Sequence, residues 1–286
     1  MKKKFNLIII LILISISLIS CKKLGGKKET KLEKKDKAPK SLLSLTEELD
    51  KVLTSMVDMK KTIELSPLEF EVLEYEKKEQ SKKDEDKSGE NKGESKDEKS
   101  KIEAENLSSK DKELTKKWND IDKKIDKIHN DWNEYEAEAV KKIVNPESTK
   151  EFKNILNSCT KAVEARNVDA ILDTGSQLTL SLASFFDLYK DEIRGELSKI
   201  KYAAYQAYIY GGTDTGKAKI LLDSTVEPIN RLRQKLDPEK DKEKLKNLDK
   251  LNLSIEDMKQ TLEENNIKLL EIKRDIIIGN IKDLEE

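Results

Sequence analysis

Apolar residues recur along most of this chain at alternating spacings of three and four, the mark of helices that bury one face. The first clear series is Leu45, Leu49, Val52, Met56, Met59 and Ile63. A longer one, Trp118, Ile121, Ile125, Ile128, Trp132, Tyr135 and Ala139, has mostly Asp, Lys, Asn and Glu between its steps. Both tryptophans fall on that stripe and are expected to anchor a core. Its heptad spacing also suits a homodimer seam.

Punctuation divides these series. Ser66-Pro67-Leu68-Glu69 reads as a fresh helix start, with Ser as N-cap, Pro in the first turn and Glu closing a capping box. Asn145-Pro146 ends the tryptophan helix, because the residue before Pro is pushed out of the α region. Phe152, Ile155, Leu156, Cys159 and Val163 predict a further helix, broken near Asn167. Residues 168–190 are apolar nearly all round, which predicts a helix enclosed by neighbours at the centre of a bundle. Tyr202, Tyr205, Tyr208 and Tyr210 then cluster in one segment. Tyr suits surfaces both apolar and wet, so these four are the candidate interaction patch, with packing at the bundle rim as the alternative. Gly211-Gly212 is expected to end that helix, and Asp214 or Thr215 to cap the next. Ile220, Leu221, Val226, Ile229, Leu232 and Leu236 predict one helix bent at Pro228 and closed by Asp237-Pro238. A last helix is expected to start at Ser254–Asp257 and to carry Ile255, Met258, Leu262, Leu269, Ile272 and Ile276. Asn265 stands at one core-type step, where a polar residue would set the register of a dimer.

Composition sharpens this all-helical picture. Of 286 residues, 40% are charged and 36% hydrophobic, with 10 Gly and 5 Pro, too few for a turn-rich β-sandwich or an α/β enzyme. The 56 basic and 57 acidic residues nearly cancel, which argues against a nucleic-acid binder. One His and two Cys exclude a multi-histidine metal site and a disulfide framework. The charge is also uneven. Lys22–Lys40 holds nine Lys against three acids, a net of +6, and reads as a disordered tether able to lie on anionic headgroups. Glu76–Glu113 holds 11 Lys and 13 Asp+Glu with Gly89 and Gly93, and reads as a solvated charged linker or a frayed single helix.

The N-terminus supplies an address. Lys2, Lys3 and Lys4 precede an apolar run of 15 residues, Phe5 to Ile19, short of the roughly 20 needed to span a bilayer. The run ends in Leu18-Ile19-Ser20-Cys21: an aliphatic residue at −3, a small one at −1, then Cys. That is a bacterial lipobox, in which Cys21 is acylated and the chain is cut between Ser20 and Cys21. A plain secretory signal would favour an A-x-A-like site. Two or three acyl chains hold stably where one would not, at ~0.8 kcal/mol per buried CH₂. The mature chain, Cys21–Glu286, would carry a net charge of −4.

Little else suggests chemistry. With Cys21 consumed by lipid, Cys159 has no intrachain partner and sits on an apolar helix face, as a small hydrophobe would. A catalytic thiol would need a base, and His129 is the one histidine. Gly211 to Lys217 matches G-x-x-x-x-G-K, but Ala218 stands where Mg²⁺ needs a hydroxyl, and no strand series precedes it. No catalytic residue, cofactor or metal is therefore expected.

The LISC lipobox, the lysine-rich tether and a Lys/Glu/Asn/Ile-rich helical body resemble the Borrelia outer-surface lipoproteins. Within that group, the length and the stretch IELSPLEFEVLEYEKKE (Ile63–Glu79) are similar to the virulent-strain-associated lipoproteins. The architecture resembles the helical complement-regulator-acquiring proteins. The resemblance implies a non-enzymatic, lipid-anchored protein of the cell outer membrane, exposed at the surface and contacting a host serum or matrix protein. It carries over no binding residue. A structural or periplasm-facing envelope lipoprotein without a host ligand is the alternative. The expectation is an all-α, elongated multi-helix bundle in five segments: signal peptide 1–20, lipidated tether 21–40, N-terminal helices 41–75, charged linker 76–113 and bundle domain 114–286.

Overall fold

The computed structural model describes residues 36–84, 108–139 and 145–285. The signal peptide, Ser20, Cys21, most of the tether and residues 85–107 of the charged tract lie outside them. The fold is an all-α multi-helix bundle, with no strand among the described residues. Its helices are α1 (Lys40–Glu64), α2 (Pro67–Asp84), α3 (Ser109–Ala139), α4 (Pro146–Glu164), α5 (Val168–Phe186), α6 (Glu192–Tyr210), α7 (Thr215–Asp223), α8 (Val226–Lys235), α9 (Lys242–Thr261) and α10 (Ile267–Glu285).

The stripes lie where their period puts them, except that Ile63 at the end of α1 is exposed. Leu45, Leu49, Val52, Met56 and Met59 of α1 are buried, as are Ile121, Ile125, Ile128 and Trp132 of α3. These two helices lie side by side, so the heptad stripe of α3 is spent inside the bundle rather than on a dimer seam. The apolar α5 sits among α1, α4 and α6. Trp132 is a core anchor: its ring stacks on Phe152 at 4.1 Å and tilts against Phe185 at 5.4 Å. Trp118 is half-buried and covered by the Arg166 guanidinium, 4.9 Å from its ring centre.

Long-range contacts fix which ends meet. Ser44 donates to Asp131 at 2.8 Å, and Lys190 N donates to Asp36 O at 2.8 Å, so the chain enters beside the α5–α6 turn. At the opposite end Lys60 bonds Asp169 at 2.7 Å and Lys117 bonds Thr62 at 3.2 Å. That end collects the α1–α2, α4–α5, α6–α7 and α9–α10 turns.

Several boundaries differ from the sequence reading. The charged linker expected over 76–113 is helical as far as Asp84 and again from Ser109, since mixed-sign charge at helical spacing extends a helix. The helices expected as a separate 41–75 segment belong to the same compact unit, Asp36–Glu286. The helix expected to bend at Pro228 is two helices. Ser224 and Thr225 turn their hydroxyls back onto the Leu221 and Leu222 carbonyls, both at 2.6 Å, and Pro228 falls in the first turn of α8, where its missing N–H costs nothing. Ile220 and Val226 are left exposed.

The last helix is corrected most. Ser254 is interior to α9 and bonds Leu251 O at 2.7 Å, so it caps nothing. Asn265 adopts a left-handed conformation (φ 50°) and reverses the chain, and Asn266 Oδ1 accepts from Leu269 N at 3.0 Å to start α10. Asn265 is therefore a turn residue and not a polar step in a seam. Beyond it the buried face is Leu270, Arg274, Ile277 and Ile281, while Ile272 and Ile276 are exposed.

Candidate functional site

The tyrosine segment falls on α6, where at 100° per residue Tyr205 and Tyr208 lie about 60° apart on one side and Tyr202 and Tyr210 about 80° apart on another. Tyr205 and Tyr208 are buried; Tyr202 and Tyr210 are half-exposed. The four do not form one surface patch. The inner pair packs among helices from distant parts of the chain, which an isolated segment cannot show. The outer pair shares its face with Lys217, whose ammonium lies 3.6 Å from the Tyr210 ring centre. Burial raises the Tyr202 hydroxyl above the ordinary tyrosine range, aided by the carboxylate of Asp173.

Tyr205 and Tyr208 instead border two polar clusters, spaced about three turns apart along the line where α6 meets α1 and α10. Lys201 of α6 is 1% exposed and donates to Asp50 of α1 at 2.7 Å and to Glu285 of α10 at 3.5 Å. One ammonium thus fastens three helices. Arg274 of α10 is 0% exposed, with Nε and Nη2 on Asp275 at 3.1 and 2.6 Å. Its guanidinium lies 4.2 Å from the Tyr208 ring centre, within cation–π range. Its Nη1 finds no acceptor. Lys61 of α1 completes this second cluster, 2.7 Å from Glu271 and 3.3 Å from Asp275.

Above the Lys201 cluster runs a trough of about 560 Å³ along the outer face of α1, between Lys124 of α3 and Lys282 of α10. Glu47, Asp50 and Glu285 line it, and a smaller hollow of about 180 Å³ continues it over Tyr205. Asp50 and Glu285 are already held by Lys201, so that pair fastens helices electrostatically, while Glu47 is exposed at the trough. Neither Lys201 nor Arg274 was singled out from the sequence. The signal was a charged residue on an apolar stripe: Lys201 between Leu197 and Tyr205, and Arg274 between Leu270 and Ile277.

The remaining candidates stand apart. Cys159 is buried, and burial pushes its thiol up to about 11. His129 Nε2 lies 2.8 Å from Thr160 Oγ1, an arrangement that leaves it engaged with a hydroxyl. Gly211 to Lys217 forms a helix–turn–helix junction, with Asp214 capping α7 through Lys217 N at 2.8 Å. Gly211 is needed for close approach: a Cβ there would stand 2.5 Å from Leu270 Cδ1. Among the described residues no group of three His, Cys, Asp or Glu side chains is placed to hold a metal. No family model, characterised protein or solved structure matches the chain.

Proposed function

We propose that this chain is a lipoprotein anchored through Cys21 to a bacterial outer membrane, and that it acts at the cell surface by binding a host serum or matrix protein. The observation that carries the reading is the lipobox Leu18-Ile19-Ser20-Cys21 at the junction of an apolar run and a lysine-rich tether. The resemblance to the Borrelia outer-surface lipoproteins supports the same location. No described helix is long and apolar enough to cross a membrane. The bundle suits such a tether, because Asp36 is held at one end and four of the interhelical turns gather at the other.

Three measurements test this. Cys21→Ala is expected to move the protein out of the detergent phase on phase separation; continued partitioning there would refute the anchor. Protease treatment of intact cells is expected to remove the protein together with surface markers. Its survival while those markers vanish would favour the periplasm-facing envelope reading. Affinity capture from serum on the immobilised mature chain is expected to enrich a host protein, and an empty capture would count against host binding.

A further inference from the structure

Charges along the trough between α3 and α10 are matched with two exceptions. Asp50 and Glu285 hold Lys201, Lys51 bonds Glu48 at 2.9 Å, and Lys124 bonds Asp120. Glu47, exposed on α1, and Lys282, exposed on α10, form no ion pair or hydrogen bond among the described residues. The bond from Glu48 raises the Lys51 pKa, and Glu47 adds only its field. One trough thus carries an unmatched carboxylate and an unmatched ammonium, held too far apart to pair with each other.

The hollow that continues the trough adds an apolar compartment. Thr54 and Lys282 border both spaces. Beyond them the hollow is walled by Val57, Tyr205 and Ile278, all buried. Two exposed carboxylates also line it, Asp58 and Asp275, the latter held by Lys61 and Arg274. Gly279, interior to α10, lines it as well, and a Cβ there would meet nothing within 4 Å. A glycine inside a helix costs roughly 1 kcal/mol relative to Ala, and no close packing requires this one. It keeps the hollow open. Along α1 the order is carboxylates at Glu47 and Asp50, then the Lys282 ammonium beside Thr54, then apolar space at Val57. Glu47 and Val57 stand about 15 Å apart along the helix.

We infer that trough and hollow together bind an amphipathic zwitterion: a primary ammonium at Glu47, an anionic group at Lys282 and Thr54, and a short apolar chain over Tyr205. The trough, about 560 Å³, has the size of a small-molecule site. A plain anion would meet Glu47, Asp50 and Glu285, and a plain cation would meet Lys51, Lys124 and Lys282. A ligand carrying both charges matches both ends. Carboxylates accept the three N–H donors of a primary ammonium. A quaternary ammonium lacks its usual ring faces, since no aromatic side chain among the described residues lines the trough. The site needs neither the lipid anchor nor a host protein, so it stands or falls apart from the surface reading.

The test uses the mature chain with Cys21→Ala and the hexyl ester of phosphoethanolamine, titrated by isothermal calorimetry below its micelle concentration. Saturable binding at one site per chain is expected. Glu47→Gln and Lys282→Met should each weaken it roughly tenfold or more, the loss of one charge-assisted contact. Both residues are exposed, and an unchanged urea midpoint would show that the bundle is intact. Hexyl phosphate, which lacks the ammonium, should bind wild type roughly tenfold more weakly and should not lose further affinity in Glu47→Gln. Gly279→Leu fills the hollow without a clash and should weaken the hexyl ester several-fold, and the methyl ester much less. Absence of saturable binding, or equal binding by wild type, Glu47→Gln and Lys282→Met, would overturn the inference. So would equal affinity for hexyl phosphate and its zwitterionic counterpart, which would assign the trough to an anion. Unchanged hexyl ester binding by Gly279→Leu would overturn it too, by removing the apolar chain from the hollow.

Discussion

Lys201 and Arg274 are both cations on apolar stripes, and they sit in different circumstances. Lys201 has two carboxylates in reach, from two other helices. Replacing it with Met would leave Asp50 and Glu285, both partly exposed on the trough, without the cation they share. The expected loss is about 1–3 kcal/mol, less than for a fully buried pair because the two carboxylates reach water. Arg274 leaves Nη1 without an acceptor, and both acids beside it keep Lys61. Arg274→Met is therefore expected to fall within about 1 kcal/mol of wild type, or to stabilise, since an apolar side chain of similar volume often replaces a buried charge at no cost. Urea midpoints of the two variants check the contrast. Equal losses would mean that the Tyr208 ring makes Arg274 as integral as Lys201.

At the scale of the element, the capping box of α2 gives a local prediction. Ser66→Ala removes the hydroxyl that accepts from Glu69 N and is expected to cost about 1 kcal/mol. Hydrogen exchange should report it as faster opening of α2 with α5 unchanged; uniform acceleration would refute a local role. Gly211→Ala acts between elements, since the added Cβ would press on Leu270 and Ala207 O and separate α6 from α10. Its expected cost is roughly 1–3 kcal/mol, read from the thermal midpoint. What was legible in the sequence follows the same division. The stripes of α1 and α3, the Ser66 box and the breaks at Asn145 and near Asn167 depend on residues within one or two turns, and they stand where the periodicity put them; that the two Asn side chains cap α4 and α5 shows only in the structure. The reversal at Asn265 was hidden by coincidence: Leu262 and Leu269 are seven apart, so the heptad spacing passes through the turn unbroken. The buried face of α10 was missed because Arg274 interrupts it. The tyrosines divide between the two readings, Tyr205 and Tyr208 packing inside and Tyr202 and Tyr210 half-exposed, because burial of the inner pair depends on α1 and α10, far away in sequence.

For the whole molecule, the buried titratable groups set how stability responds to alkali. Burial pushes the Cys159 thiol from 9.0 up to about 11, and it raises the Tyr135 and Tyr205 hydroxyls well above the ordinary tyrosine range. In each case the folded chain keeps a proton that the unfolded chain gives up at lower pH. The unfolded state thus binds fewer protons at high pH, and stability falls as pH rises. The contribution is fully present below about pH 8.5, where an unfolded thiol begins to ionise, and declines first through Cys159 and then, above about pH 10, through the tyrosines. The urea midpoint is therefore expected to be flat from about pH 7 to 8 and to drop progressively between about pH 9 and 11. Cys159→Ala should delay the onset toward the tyrosine range. Tyr205→Phe should flatten the upper part, since it removes an ionisable hydroxyl while keeping the ring beside Arg274. A midpoint that stays level to about pH 11 would mean that these groups reach solvent in the native state.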